Sequence, residues 1–187
     1  MNTSEEKPST PRRTWGEFGE IVEGYDIPVF NEREVRASAG ILFLIGFTGY
    51  LIAAITGVAQ PMRGFAILFL FDMLIRLFIS PRFSPTMALG RLIVLRQRPE
   101  FVGAPQKRFA WGLGLAIALI TCFTMGWLAA PLWIVLILCG ICMTVLFLET
   151  AFGICIGCEL QKRFSRTPPQ YCPGDSCNYD RRGALDS

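Results

Sequence analysis

The chain has 187 residues, of which 52% are hydrophobic and 18% are charged, and its formal net charge is only +3. This apolar share exceeds that of an ordinary soluble domain, and the small net charge gives no indication of nucleic-acid binding. Histidine is absent, which excludes a Ser-His-Asp hydrolase, a histidine-ligated zinc protease and a bis-histidine cytochrome.

Residues 1–36 form a polar segment with eight acidic and five basic residues, and we expect this segment to be cytoplasmic. It does not have the basic, apolar and small-residue regions of a signal peptide. The stretch from Trp15 to Val22 contains enough apolar side chains for a short helix near the membrane surface.

Four apolar stretches between residues 37 and 161 predict an all-α bundle of transmembrane helices. They comprise residues 37–59, 62–80, 109–128 and 132–154, and each can cross a hydrocarbon core of about 30 Å. Between the second and third spans, residues 85–96 predict a short amphipathic helix at the membrane interface. Residues 162–187 form a polar tail that contains two cysteines.

The distribution of Lys and Arg predicts the orientation of this bundle. Sixteen of the eighteen basic residues lie in the N-terminal segment, in the connector 82–108 or after residue 155. The positive-inside rule places these three segments in the cytoplasm. An even number of spans then places both termini there too. We therefore expect a multi-pass protein of the bacterial inner membrane, with the lipid bilayer as its first partner.

Besides Arg63 at the start of the second span, three charged residues fall within the predicted spans. Asp72 and Arg76 are spaced i,i+4 on the second span and share a face, and Glu149 lies near the end of the fourth. Arg76 and Glu149 lie at similar depths from the cytoplasmic side, so we predict that Arg76 faces the bundle interior and meets both carboxylates. We favour a structural ion pair; the alternative is a polar gate or a site for a substrate anion.

A Cys-x-x-Cys motif, Cys155-Ile-Gly-Cys158, follows the last span. Basic residues just beyond it favour the reactive thiolate, whereas the negative end of a helix disfavours it, so the protonation state stays open. In an unbroken helix, Glu149 would point away from both thiols. It could serve them as a base only if the helix breaks near Gly153. The cysteines inside the spans, at 122, 139 and 142, are predicted to be packing residues.

A second dithiol, Cys172 and Cys177, lies in the tail beside a Pro-Gly turn signal. One interpretation is a redox relay, in which this pair exchanges with the first pair or with a thioredoxin-like protein. The other is a zinc site made of all four thiolates. We favour the relay and expect no cofactor, because the pairs lack the hairpin pattern of a zinc ribbon. Inert structural cysteines are a third reading.

The segment from Glu149 to Leu160, ETAFGICIGCEL, resembles the signature of a bacterial membrane family called domain of unknown function 4395. The similar features are an acidic residue, an aromatic–Gly pair and Cys-x-Gly-Cys at the end of the last helix. Over residues 25–161 the resemblance implies a four-span membrane protein and a role for Cys155 and Cys158. The tail dithiol is not part of the pattern, and the family has no settled activity.

The leading hypothesis is that Cys155 and Cys158 carry out thiol–disulfide or persulfide chemistry at the cytoplasmic face. Cys158 would attack and Cys155 would resolve, with a thioredoxin-like or sulfurtransferase protein as partner. An enzyme of this kind would be a thiol–disulfide oxidoreductase or a sulfur carrier. A second hypothesis is a small transporter or channel for a sulfur-containing anion, with Arg76 supplying the charge. A third is a non-catalytic accessory subunit; the sequence leaves enzymatic activity and homo-oligomer formation open.

Overall fold

A computed structural model of the protein describes residues 18–22, 27–128, 130–156 and 160. Cys158 and both tail cysteines lie outside the described residues, as do most of the N-terminal segment and all of the C-terminal tail 162–187.

The described chain is mostly helical and contains five α-helices. They are α1 (Glu32–Thr56), α2 (Gln60–Leu74), α3 (Pro85–Val94), α4 (Ala104–Gly126) and α5 (Leu132–Phe147). A π-helical turn continues α2 over Ile75–Ile79, another continues α5 over Leu148–Phe152, and a 3-10 turn over Pro81–Phe83 precedes α3.

Two short strands lie directly before α1 and α4 and pair with each other, and neither was expected from the sequence. Strand β1 (Val29–Asn31) pairs antiparallel with β2 (Phe101–Gly103). An isolated antiparallel bridge between Glu20 and Val29 places a third backbone segment beside β1. The predicted surface helix near Trp15 is therefore wrong over residues 18–22, whose backbone pairs with β1 instead.

Three of the described helices are long and apolar enough to cross a membrane: α1, α4, and α5 with its π turn. They coincide with the predicted spans 37–59, 109–128 and 132–154. However, α1 and α4 each begin five residues earlier than expected. The reason is local: the Asn31 side chain caps α1 by accepting from Arg33 N, and Pro105 occupies the first turn of α4. The predicted span 62–80 corresponds to α2 and its π turn.

The four long helical segments pack as a ring, in which α1 contacts α2 and α5, and α4 contacts the same two helices. Large buried side chains from all four fill the centre: Leu42, Met62, Phe69, Trp111, Leu115 and Met143. Many large apolar side chains on the outside are exposed, including Leu44, Ile55, Phe71, Phe78, Ile120 and Ile137. An exposed apolar surface of this extent is typical of a surface that contacts lipid.

Helix α3 packs closely across the first turns of α1, and Gly90 lies at the crossing. A Cβ atom at residue 90 would lie 2.7 Å from the Glu34 carbonyl oxygen and 3.0 Å from the Ser38 nitrogen. Both are backbone atoms, so neither can move aside as a flexible side chain would. The absence of a side chain at residue 90 therefore sets the distance between the two helices.

We expect Gly90→Ala to lower the free energy of unfolding by about 1–3 kcal/mol, because the added methyl group pushes α3 away from α1. Thermal unfolding of the purified protein in detergent measures this loss.

Gly112→Ala is the matched control, because a Cβ atom at this position in α4 would meet nothing within 4 Å. It should be neutral or stabilise the helix by up to about 1 kcal/mol. Equal losses in the two variants would contradict the close crossing at Gly90.

Candidate functional site

The pairing of Asp72 and Arg76 predicted from their spacing is present in the structure. Arg76 Nε lies 2.7 Å from Asp72 Oδ2, and the two side chains are 2% and 1% exposed. Asp72 lies in the last turn of α2 and Arg76 in the π turn that follows. The pair is thus buried in the bundle interior, as the sequence predicted for Arg76.

Three hydroxyl groups surround this ion pair. Arg76 Nη2 donates to Ser38 Oγ at 3.2 Å and to Thr86 Oγ1 at 2.6 Å. On the other side, Ser84 Oγ and Thr86 Oγ1 donate to Asp72 at 2.7 and 2.9 Å. A buried ion pair is tolerated only when further hydrogen bonds replace the lost water, and these hydroxyls provide them. We call these five residues the Arg76 network.

Glu149 pairs with a different cation. Its Oε1 lies 3.1 Å from Lys107 Nζ, and the same nitrogen lies 2.8 Å from Glu32 Oε2. The predicted direct contact between Arg76 and Glu149 is therefore wrong, although the two groups still interact electrostatically. Arg76 already donates hydrogen bonds to the hydroxyl groups of its own network. Because α4 begins early, Lys107 lies on this helix close enough to pair with the Glu149 carboxylate. We call Glu32, Lys107 and Glu149 the Lys107 triad.

Sequence analysis missed Glu32 and Lys107, because both fell in segments predicted to be cytoplasmic. Each side chain is only 1% exposed. The helical period could have found them. Buried positions of α1 include 32, 35, 39 and 42, and those of α4 include 107, 111, 115 and 118. Glu32 and Lys107 thus lie on the same helix face as these buried apolar residues, about one turn closer to the N-terminus of each helix.

Helix α5 with its π turn ends at Gly153, two residues before the first cysteine of the motif. Gly153 has a φ of 67°, and the nitrogen of Ile154 donates to the carbonyl of Leu148 at 3.2 Å. This pattern reverses the chain and ends the helix. Cys155 follows on non-helical backbone and is buried. The helix break that a role for Glu149 as base would require is therefore present.

Arg36 of α1 lies against this turn. Its Nη2 donates to the carbonyl oxygens of Thr150 and Ala151 at 3.0 and 3.3 Å. A Cβ atom at Gly153 would lie 3.3 Å from Arg36 Nη1. A guanidinium group thus covers the negative end of the last helix, directly before Cys155. Sequence analysis did not single out Arg36.

The other described cysteines lie within the bundle. Cys139 is buried, Cys122 and Cys142 are partly buried, and all three pack in the apolar core. Within the described ranges, no group of three or more metal-ligating side chains occurs. The zinc alternative rests largely on Cys158, Cys172 and Cys177, which lie outside those ranges.

Residues 30–166 match the family model described as Domain of unknown function (DUF4395). The chain belongs to this family. The matched region contains all five helices, both buried charge groups and the Cys155–Cys158 motif, whereas Cys172 and Cys177 lie beyond it. No curated protein and no solved structure shows significant similarity to the chain.

Replacing Arg76 by Met should lower the free energy of unfolding by about 3–5 kcal/mol, because the buried Asp72 loses its cation. The yield of folded protein in detergent and its thermal unfolding measure this effect.

The double variant Asp72→Leu, Arg76→Met removes both charges and should recover much of the loss. Arg63→Met, at the exposed other end of α2, removes only a long hydrogen bond of 3.5 Å to the Met125 carbonyl and should cost less than about 1 kcal/mol. A single Arg76→Met variant as stable as the wild type would contradict a structural role for the pair.

Proposed function

We propose that this member of the family crosses the bacterial inner membrane four times, with both termini in the cytoplasm. The second span is α2 with its π turn, which together run from Gln60 to Ile79. Twenty helical residues extend about 30 Å, which matches the hydrocarbon core. Of the three charged residues on this segment, Asp72 and Arg76 are buried and paired, and Arg63 lies in the first turn.

We further propose that α3 lies at the cytoplasmic interface. Its buried face, Met87, Gly90 and Val94, packs towards the bundle. Its other face is apolar and exposed, with Leu92 and Ile93 63% and 62% accessible. An exposed leucine and isoleucine face beside arginine residues is typical of a helix that lies in the headgroup region.

For the biochemical activity, we infer thiol–disulfide or persulfide chemistry by Cys155 and Cys158 at the cytoplasmic face. The observation that carries this proposal is the turn at Gly153, which releases Cys155 from the helix at the cytoplasmic end of the bundle. A thiol on a regular transmembrane helix has little freedom to approach a partner thiol. The turn therefore supports a reactive rather than a packing role for this motif.

The charge around the turn supports the same proposal. A free helix end would place negative carbonyl groups next to the motif and disfavour a thiolate. Here the Arg36 guanidinium takes up the carbonyls of Thr150 and Ala151. A cation close to a cysteine favours the thiolate, which is the nucleophilic form. The partner would be a thioredoxin-like or sulfurtransferase protein that approaches from the cytoplasm.

The transport alternative receives less support from the geometry. Arg76 is 2% exposed, and its Nε and Nη2 atoms are already bonded to Asp72 and to hydroxyl groups. A substrate anion would have to displace these partners. No observation within the described ranges favours the accessory-subunit alternative over the thiol chemistry.

Rapid acid quenching followed by alkylation and mass spectrometry tests the proposal directly. In protein taken from growing cells, we expect a fraction of the Cys155–Cys158 peptide to carry a disulfide or an extra sulfur of about 32 Da. Cys155→Ser should leave Cys158 trapped as a mixed disulfide or persulfide, because its resolving partner is missing.

Cys122→Ser provides the matched control, because this thiol lies within a span and should not affect the modification. Two fully reduced, unmodified thiols, also after exposure to a disulfide or a sulfane-sulfur donor, would contradict the proposal. Bound zinc that is lost in a Cys172→Ser variant would instead establish the four-thiolate metal site.

Arg36→Gln should slow alkylation of the dithiol at neutral pH by about two- to fivefold, because the cation at the helix end is lost. Iodoacetamide labelling rates over a pH series, read by mass spectrometry, measure the change.

Arg33→Gln is the control, since Arg33 lies on the exposed side of the same helix start and its side chain is 44% accessible. Identical labelling rates in wild type and Arg36→Gln would contradict an electrostatic role for Arg36.

A further inference from the structure

The Lys107 triad places two carboxylates on one ammonium group. Lys107 Nζ lies 2.8 Å from Glu32 Oε2 and 3.1 Å from Glu149 Oε1. The Glu32 side chain is 1% exposed and that of Glu149 14%. Among these three described side chains, one ammonium group faces two carboxylates, so the triad by itself carries one excess negative charge in a largely buried place.

The hydrogen bonding of Glu32 is consistent with this excess of negative charge. Both Glu32 oxygens are buried and neither receives a hydrogen bond from a described residue, although Oε2 lies 2.8 Å from Lys107 Nζ in the ion pair. A buried carboxylate oxygen without a donor is costly, and most such groups in proteins have a partner. A proton on Glu32 would remove most of the cost of burying this charge.

The other charged groups near Glu32 do not provide this charge by contact. Arg36, one turn along α1, interacts with it electrostatically, but its Nη2 donates to Thr150 and Ala151. Arg91 on α3 pairs with Glu34. Arg76 on the π turn after α2 pairs with Asp72.

We propose that the Lys107 triad is a proton-binding site, in which Glu32 carries the proton on Oε1. The proton comes from water and neutralises one carboxylate. The remaining carboxylate then forms a balanced pair with the Lys107 ammonium group. No covalent bond between heavy atoms changes.

The site also lies close to the cysteine motif. Glu149 lies in the π turn that ends at Gly153, directly before Cys155. Binding or release of the proton therefore changes the charge at the base of the turn that carries the thiols. The site itself does not depend on the thiol chemistry, so it can be tested whether or not Cys155 and Cys158 react.

Infrared spectroscopy of the purified full-length protein in lipid nanodiscs detects the proton directly. At neutral pH we expect the carbonyl band of a protonated carboxylic acid, shifted when the sample is transferred to heavy water. Glu32→Gln should remove this band, whereas Glu34→Gln, which changes the neighbouring Arg91-paired carboxylate, should leave it unchanged.

Thermal stability provides a second, independent measurement. Gln has the shape of a protonated Glu, so Glu32→Gln should keep the Tm of the wild type at neutral pH. Lys107→Met leaves two carboxylates without their shared cation and should lower the Tm strongly.

Three results would overturn the proposal. The first is the absence of a protonated carboxyl band at neutral pH. The second is a band that survives Glu32→Gln but disappears in Glu149→Gln, which would assign the proton to the other residue. The third is a band that appears only when sodium and potassium are replaced by choline, which would mean that a metal cation occupies the site.

Discussion

Buried charges in an apolar bundle must be paired, and here that requirement ties all five helices together. The Arg76 network joins the helix α2 segment to α1 through Ser38 and to the start of α3 through Ser84 and Thr86. The Lys107 triad joins α4 to α1 and to the end of α5. Helix α1 contributes to both groups. Each bond fixes the position of one helix along its neighbour. In a membrane, apolar packing alone specifies that position only loosely, because lipid chains solvate apolar side chains as well as a neighbouring helix does.

The position of the candidate site follows from this arrangement. Glu149 anchors the π turn of the last helix to Lys107, and Arg36 holds the next two carbonyl groups. Gly153 then turns the chain with a positive φ, which a residue without a side chain adopts at little cost. Cys155 is therefore presented by a turn that two cations from two other helices hold in place.

Composition and local pattern predicted much of the architecture. The apolar stretches predicted the long helices, and the i,i+4 spacing of Asp72 and Arg76 predicted their ion pair. These features are local or depend only on the contrast between lipid and water, so they can be derived from sequence. The short strands β1 and β2 could not, since three residues carry no readable period and their pairing joins positions some seventy residues apart.

The sequence by itself determined the apolar character of the chain, its helical class, its family signature and the dithiol motif. Only the tertiary structure decided which charges meet. Depth along two helices suggested Arg76 for Glu149, but the choice depends on where a third helix, α4, begins and on which hydroxyl groups already occupy Arg76. The partner of a buried charge is set by the three-dimensional competition among all groups within a few ångströms. No linear pattern encodes that competition. The helical period could have shown that Lys107 and Glu32 are buried, but their pairing with Glu149 became visible only in the folded protein.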